Sequence, residues 1–146
     1  MDQQQIALVR SGFAEIAPIA EQAAEMFYAR LFELDPSLRQ LFKGDIKQQG
    51  AKLMAMIATA VANLDRMEQI LPRLRELGRR HVAYGVKDEH YRTVAAALLS
   101  TLAVALGEKF TLEARMAWIS CYLKLAGEMK AGAAEIDNEV RQVRAA

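Results

Sequence analysis

Residues 74–81 read Leu-Arg-Glu-Leu-Gly-Arg-Arg-His, and this stretch decides the fold because it carries His81, one of two histidines in the chain. At 3.6 residues per turn, His81 shares a helix face with Leu74 and Leu77, while the arginines largely point the other way. The pattern aims an imidazole into an apolar interior from a basic, solvated helix. Such an imidazole suits a metal ligand in a dry pocket, and the ordinary alternative is a core histidine bonded to a carbonyl.

Composition and charge limit the classes of function. The chain has 146 residues, a size typical of one domain, and 53% of them are hydrophobic. A net charge of +1 gives no electrostatic case for binding nucleic acid or an anionic membrane. The longest apolar stretch, residues 93–106, is shorter than the ~20 residues that cross a bilayer, and no secretory signal opens the chain. With Cys121 as the only cysteine, we expect a cytoplasmic protein.

Hydrophobic periodicity predicts helices throughout the chain and no strands. Helix starts are indicated at Asp2, Asp45 and Thr111, and each of the prolines falls near a start. The predicted helices cover residues 3–17, 18–34, 36–42, 46–64, 67–82, 88–106 and 112–131, and the chain beyond Gly132 is expected to be helical again. We therefore expect an all-α single domain over residues 1–146, with about seven unequal helices and the last ~10 residues as a frayed end.

Two of the predicted helices can form one wall of a pocket. On the helix 46–64, Gln49 is the polar residue that starts an apolar stripe, and Gly50 beside it costs about 1 kcal/mol relative to alanine. A helix tolerates that cost where another backbone crosses closely, and Ala24 in the preceding long helix is small enough to cross there. Tyr28 shares a face with Ala24, so this crossing would bring Tyr28 and Gln49 to one cavity. The alternative is a buried tyrosine and glutamine that satisfy each other.

These residues resemble the globin family, and the resemblance runs from the first helix to about residue 137. Phe42, six residues past Pro36, sits where globins place the phenylalanine that stacks on haem, and His81 sits at the proximal iron ligand. Residues 77–81, followed by Tyr84-Gly85-Val86, are similar to the proximal segment of neuroglobin. The resemblance implies a globin fold, a three-over-three helical sandwich around haem b (iron protoporphyrin IX).

Further residues resemble a narrower group, the flavohaemoglobins and bacterial single-domain globins. Tyr28, Gln49 and Leu53 together are similar to the distal triad of that group. Tyr91, ten residues after His81, and Glu135 match its proximal tyrosine and glutamate.

The chain departs from that group in two respects. We expect no flavin or nicotinamide reductase domain, and the connection from Phe42 to Gln49 is short, as in neuroglobin. Neuroglobin has a distal histidine where this chain has Gln49, so the resemblance does not imply coordination of iron by two histidines.

The resemblance also assigns roles to individual residues. His81 is the expected metal ligand, and Tyr28 and Gln49 are expected to donate hydrogen bonds to O₂. Glu135, held by Tyr91, is the expected acceptor for the second ring N–H of His81. The expected catalytic residues are Tyr28, Gln49, Tyr91 and Glu135. Lys52 and Arg80 are expected at the haem propionates, although a solvated face explains them equally well. The expected haem contacts are Phe42, Gln49, Lys52, Leu53, Leu77, Arg80, His81, Val86 and Tyr91.

The function implied is a haem-binding, O₂-binding globin of high affinity that detoxifies nitric oxide by dioxygenation. It would use a separate, unidentified reductase, and whether it turns over as an enzyme stays open at this point. The alternatives are an O₂ storage or delivery globin without turnover, and a sensor module with or without haem. Expected partners are O₂, nitric oxide and other diatomic ligands, with no nucleic acid and no membrane, and the chain is expected to be a monomer or a weak homodimer.

Overall fold

A computed structural model describes the backbone of residues 1–145 and their side chains except those of residues 137–141, 144 and 145. This part of the chain holds six α-helices and no strand, which confirms the predicted all-α class. The helices are α1 (Gln3–Ile16), α2 (Ala20–Leu34), α3 (Ile46–Ala62), α4 (Leu71–Ala83), α5 (Asp88–Leu106) and α6 (Leu112–Ala145). Short 3-10 helices lie at Ala17–Ile19, Pro36–Leu41, Met67–Gln69 and Gly107–Lys109.

Side chains cap the starts of three helices, as the sequence predicted. Asp2 accepts a hydrogen bond of 2.8 Å from the Gln5 backbone N–H and donates its own N–H to the Gln5 side chain, which completes a capping box. The Thr111 hydroxyl accepts from the Ala114 N–H at 3.1 Å and so caps α6. Asp45 also caps α3, but it accepts from the N–H two residues later rather than forming the predicted box with Gln48.

Prolines explain where the helices differ from the predicted bounds. The predicted helix 67–82 is divided into the 3-10 helix Met67–Gln69 and α4, which begins one residue before Pro72. Proline lacks an N–H and is tolerated only in the first helical turn, so α4 cannot extend backwards through it. The predicted helix 36–42 is a 3-10 helix, Pro36–Leu41, with its proline at the first position, and α2 begins after Pro18.

Two glycines let α4 and α6 approach backbone to backbone. A Cβ added at Gly78 of α4 would overlap the Met129 carbonyl, and a Cβ at Gly132 of α6 would overlap the Arg75 carbonyl. α6 therefore continues through Gly132 as one helix instead of pausing there. The frayed end predicted for the last residues falls largely on side chains outside the described part and stays a prediction.

α3 and α4 are held by different neighbouring helices. α4 packs along α6, α2 packs against α3 and α5, and α1 packs against α6 and α3. Within the described residues α3 and α4 do not pack extensively on each other, and we call the space between them the crevice, with α3 as its first wall and α4 as its second. No helix in residues 1–145 combines the length and apolar character that crossing a bilayer requires.

Candidate functional site

The crossing of α2 and α3 forms the first wall of the crevice. A Cβ added at Gly50 would lie 3.0 Å from the Ala24 Cβ and 3.9 Å from Cε2 of Tyr28. The first distance is tighter than ordinary packing, so a larger residue at Gly50 would require the two helices to shift apart by a few tenths of an ångström. The predicted crossing is confirmed, and it fixes Tyr28 beside the first turns of α3.

Tyr28 stands in an aromatic cluster of α2 and the segment that follows it. Its side chain is 5% exposed, and its ring lies 5.0 Å from the ring of Phe27, 6.0 Å from Phe32 and 5.3 Å from Phe42, centroid to centroid. The two contacts with Phe27 and Phe42 are edge-to-face, the favoured arrangement for aromatic pairs. The Tyr28 hydroxyl makes no hydrogen bond with another described residue. Burial raises the pKa of Tyr28 to about 12, so the phenol stays protonated and can donate.

Gln49 and Leu53 lie on α3 near this phenol. Gln49 is exposed and its side chain makes no hydrogen bond within the described residues, so it does not form the satisfied pair with Tyr28 that the sequence left open. Leu53 is half-buried and packs with the aromatic cluster around Tyr28. It also lines an apolar cavity of about 20 Å³, together with residues such as Phe27 and Ile57, which is room for one small molecule.

His81 lies in the last turn of α4, on the second wall. Its ring is half-buried, its Nδ1 is buried without a hydrogen-bond partner of ordinary geometry, and the Tyr84 ring centroid lies 6.4 Å away. Burial lowers the pKa of His81 below its ordinary value, and the backbone carbonyl of Leu77 opposes this shift only in part. The imidazole is therefore neutral near pH 7, the form that binds a metal ion.

Tyr91 is buried in the first turn of α5. Its hydroxyl has no partner among the described residues, and its backbone carbonyl accepts a 2.6 Å hydrogen bond from the Tyr122 hydroxyl. Lys130 Nζ lies 5.2 Å from the centroid of the Tyr91 ring. Burial, followed by the charge of Asp88, raises the pKa of Tyr91, so this phenol also stays protonated.

Glu135 lies on α6, where its carboxylate accepts a hydrogen bond from the Arg79 guanidinium of α4. No hydrogen bond of the described residues joins His81 to Glu135 or to Tyr91. The roles predicted for Glu135 and Tyr91 on the proximal side therefore stay predictions. The structure adds that Arg79 holds the carboxylate.

The other expected cofactor contacts fall into an apolar and a basic group. Phe42, Leu77 and Val86 are half-buried. Lys52 is exposed and has no partner in the described part of the chain, and Arg80 is exposed with its Nε 3.6 Å from Glu76. The second histidine, His90, has a local role, since its Nδ1 accepts a 2.9 Å hydrogen bond from the Lys87 N–H at the start of α5.

Two features of the site are seen only in the structure, although the sequence contains a signal for each. Phe27 and Phe32 complete the aromatic cluster, and the i, i+4 spacing of Tyr28 and Phe32 on α2 was a signal for it. Gly78 lies on the same face as His81, and its position in mid-helix was a signal of close backbone contact.

The chemistry of the two walls suits a cofactor that takes a nitrogen ligand. The second wall supplies a neutral imidazole without a hydrogen bond of ordinary geometry, and the first supplies an unpaired phenol among aromatic rings. These are donor types that suit an iron porphyrin and a small ligand beside it.

Comparison with known proteins agrees with this arrangement. The Globin family profile matches residues 25–129. Neuroglobin of Tetraodon nigroviridis is 30% identical over 139 residues, which cover 86% of this chain and 87% of that protein. The flavohemoprotein of Bordetella parapertussis is 34% identical over 125 residues, which cover 81% of this chain but 31% of that protein. The chain thus spans about a third of the length of that flavohemoprotein.

A solved structure shows the same fold. It is an engineered carbene transferase based on a Rhodothermus marinus protein that is named "putative nitric oxide dioxygenase", and it superposes with a TM-score of 0.87 at 23% identity. The superposition covers 97% of this chain and 99% of the other. Since the family profile matches 105 residues (25–129) and a neuroglobin is 30% identical over most of its length, the chain belongs to the globin family.

Proposed function

We propose that this globin binds haem b in the crevice between α3 and α4, with His81 as the axial iron ligand, and that it binds O₂. The observation that carries the proposal is the buried, neutral His81 imidazole, which makes no side-chain hydrogen bond of ordinary geometry within the described residues. When bound, the haem supplies an iron centre that takes up diatomic ligands and exchanges electrons. Phe42, Leu77 and Val86 would line the ring, and Lys52 and Arg80 would reach its propionates.

We propose further that the protein consumes nitric oxide. One nitric oxide, one O₂ and one electron give one nitrate, so turnover needs an electron that the globin fold does not itself supply, and we propose that a separate reductase delivers it. The name of the Rhodothermus marinus protein, "putative nitric oxide dioxygenase", supports this activity, and the flavohemoprotein relatives, which are named for a flavin and a haem, support a flavin-containing electron donor. The cavity behind Leu53 offers room for a second small molecule.

Tyr28 is the residue that would favour consumption of O₂ over its release. Its protonated phenol can donate a hydrogen bond to a partly charged ligand in a dry pocket, which is worth ~1.5–3 kcal/mol. Gln49 would be a second donor if its side chain turned inwards. Two such bonds would slow O₂ release by about a hundredfold or more, at ~1.4 kcal/mol per tenfold.

On the other wall, the group that accepts the second ring N–H of His81 would determine how strongly the imidazole donates electrons. The Leu77 carbonyl is one candidate, because it already acts on the imidazole. We propose the Glu135 carboxylate as the other, with Tyr91 helping to hold it. A carboxylate acceptor would strengthen the imidazole as a donor and would favour oxidative chemistry over storage.

Stopped-flow measurement of O₂ release tests the distal part of the proposal. We expect Tyr28→Phe to raise the release rate at least tenfold, because it removes one hydrogen bond and keeps the ring. Gln49→Leu removes the other proposed donor. Its matched control is Gln48→Leu, since the two glutamines are neighbours on α3, and Gln48→Leu should leave the rate of O₂ release unchanged. A Tyr28→Phe rate equal to that of the wild type would remove Tyr28 from the mechanism.

Optical spectroscopy tests the cofactor and its ligand. The purified chain should take up hemin with an intense absorption band, and His81→Ala should lose the five-coordinate ferrous spectrum. A chain that stays colourless after titration with hemin would contradict haem binding and would leave a haem-free sensor module as the alternative.

O₂ delivery without turnover is the second candidate, and the exposure of Gln49 favours it. A side chain that is exposed and unbonded is not preorganised to donate into the pocket, so Tyr28 would be the one fixed distal donor. Rapid O₂ release by the wild type would favour delivery, whereas slow release would favour the consumption of nitric oxide.

A further inference from the structure

The solvent face of α6 is apolar in its first half. Leu112, Met116 and Leu123 are 68%, 56% and 64% exposed, and Ile119 between them is half-buried. Their spacing of four, three and four residues places them in one line along about 16 Å of helix. We call these four residues the α6 stripe. The opposite face of the same helix packs into the core through Ala114, Ala117, Trp118 and Cys121.

A helix that is apolar on two opposite faces has the pattern of one that packs on both sides. The core of this chain covers one face of α6, and nothing in the described part of the chain covers the α6 stripe. The spacing of the stripe is that of the a and d positions of a coiled coil, which predicts a second helix as the occupant.

We propose that the α6 stripe packs against the same stripe of a second copy of this chain, with the two helices antiparallel about a twofold axis near residues 117–118. In this arrangement Leu112 lies against Leu123 of the second copy, and Met116 lies against Ile119. Every residue of the stripe then has an apolar partner, as the self-complementary interface of a twofold dimer requires.

The charges beside the stripe favour this orientation. Glu113 and Lys124 are both exposed, lie on the same flank of the stripe at opposite ends, and have no ion pair within the described residues. In the antiparallel dimer Glu113 lies within about 3 Å, measured along the helix axis, of Lys124 of the second copy. The twofold axis produces this pair twice. In a parallel dimer each flank would meet the opposite flank, and these two charges would not face each other.

The dimer is expected to be weak. A contact made by three turns of one helix is smaller than the ~800 Å² per partner that a standard interface buries. Oligomeric state should therefore depend on concentration, which makes it measurable by sedimentation equilibrium on the haem-loaded protein over micromolar to millimolar concentrations.

The first test places a charge in the stripe. We expect Leu123→Glu to raise the dissociation constant of the dimer at least tenfold and to leave the haem absorption spectrum unchanged, which shows that the fold is intact. The matched control is Leu34→Glu, at the end of α2, because Leu34 is also an exposed leucine and lies outside the stripe. A wild type that is monomeric at every concentration, or a dimer that Leu123→Glu does not weaken, overturns the proposal and leaves a different protein as the occupant.

The second test exchanges the two charges. Glu113→Lys and Lys124→Glu should each weaken the dimer, because each variant brings like charges together twice. The double variant should restore the wild-type dissociation constant. If the double variant is as weak as the single ones, the antiparallel register is wrong.

Discussion

His81 gives the apoprotein a stability that depends on pH. Burial lowers the pKa of His81 in the folded chain below the ordinary value of 6.5, so in acid the unfolded chain binds the proton more readily. The contribution of His81 to the free energy of unfolding is complete at pH values above 6.5 and is lost as the pH falls below 6.5. The urea midpoint of the apoprotein should therefore fall between about pH 7.5 and about pH 5.5.

The variant His81→Gln isolates this effect. The second histidine, which caps α5, is present in both proteins and contributes equally to both curves. The variant should lose less stability over the same pH range than the wild type. Equal losses in the two proteins would show that His81 does not titrate differently on folding.

Glu135 allows a structural role to be separated from an electronic one. Its ion pair with Arg79 joins two side chains that are 44% and 37% exposed, and such a pair contributes about 0–1 kcal/mol. If the carboxylate also acts on His81, Glu135→Gln should raise the reduction potential of the haem, because the imidazole becomes a weaker donor. Glu128→Gln is the control, since it breaks the Arg75–Glu128 pair between the same two helices. A potential that moves in both variants, or in neither, would contradict the electronic role.

For individual residues, the sequence predicted where a side chain lies in the fold better than it predicted the direction in which that side chain points. Tyr28 beside Gly50 followed from helical spacing and from the small size of Ala24. The exposure of Gln49 did not follow, because spacing fixes where a side chain starts and leaves its rotamer free on a solvated turn. The pairing of Glu135 with Arg79 joins residues far apart in the chain, and no local pattern encodes it.

Among the elements, the contact between α4 and α6 should be the least tolerant of added volume. Gly132→Ala places a methyl group against the Arg75 carbonyl, which is backbone and cannot move away by changing a rotamer. We expect a loss of about 1–3 kcal/mol in the free energy of unfolding, or more. Denaturant titration measures it.

Gly127→Ala on the same helix is the matched control. Gly127 is exposed, and an added Cβ there would meet nothing within 4 Å. Because alanine is the better helix former, this variant should gain about 0.5–1 kcal/mol. Similar effects at the two glycines would mean that α4 and α6 do not meet as closely as described.

The lengths of the elements were predictable where a cap or a proline marks an end. Pro72 fixes the start of α4 and Asp2 fixes the start of α1, because both act through the local backbone. The continuation of α6 through Gly132 was predicted only loosely. A glycine in the middle of a helix suggests an end until the contact with a second helix is known.

For the molecule as a whole, binding of hemin should raise the temperature of unfolding. A ligand that binds only the folded state adds about 2.7 kcal/mol at a free concentration one hundred times its dissociation constant. In a domain of this size that corresponds to a rise of about 8 °C in Tm. Differential scanning calorimetry with and without hemin checks it, and His81→Ala should show a smaller rise. An unchanged Tm in the wild type would contradict a pocket that is formed in the folded state.

The fold of the whole chain was predictable, and the geometry of the crevice was only partly so. The family resemblance rested on a few residues such as Phe42 and His81, and the fold agrees with it. Which helices stay apart is a property of packing between distant segments, and the sequence indicates it only through the small residues at the crossings.

The glycine contact between α4 and α6 also couples the position of α4, which carries His81, to the position of α6. Where main chain bears on main chain, no flexible side chain can absorb a small displacement. A sideways shift of the longest helix is therefore transmitted undamped to the one that carries the imidazole. A force that displaces α6 would therefore change the orientation of the His81 imidazole through the contacts at Gly78 and Gly132.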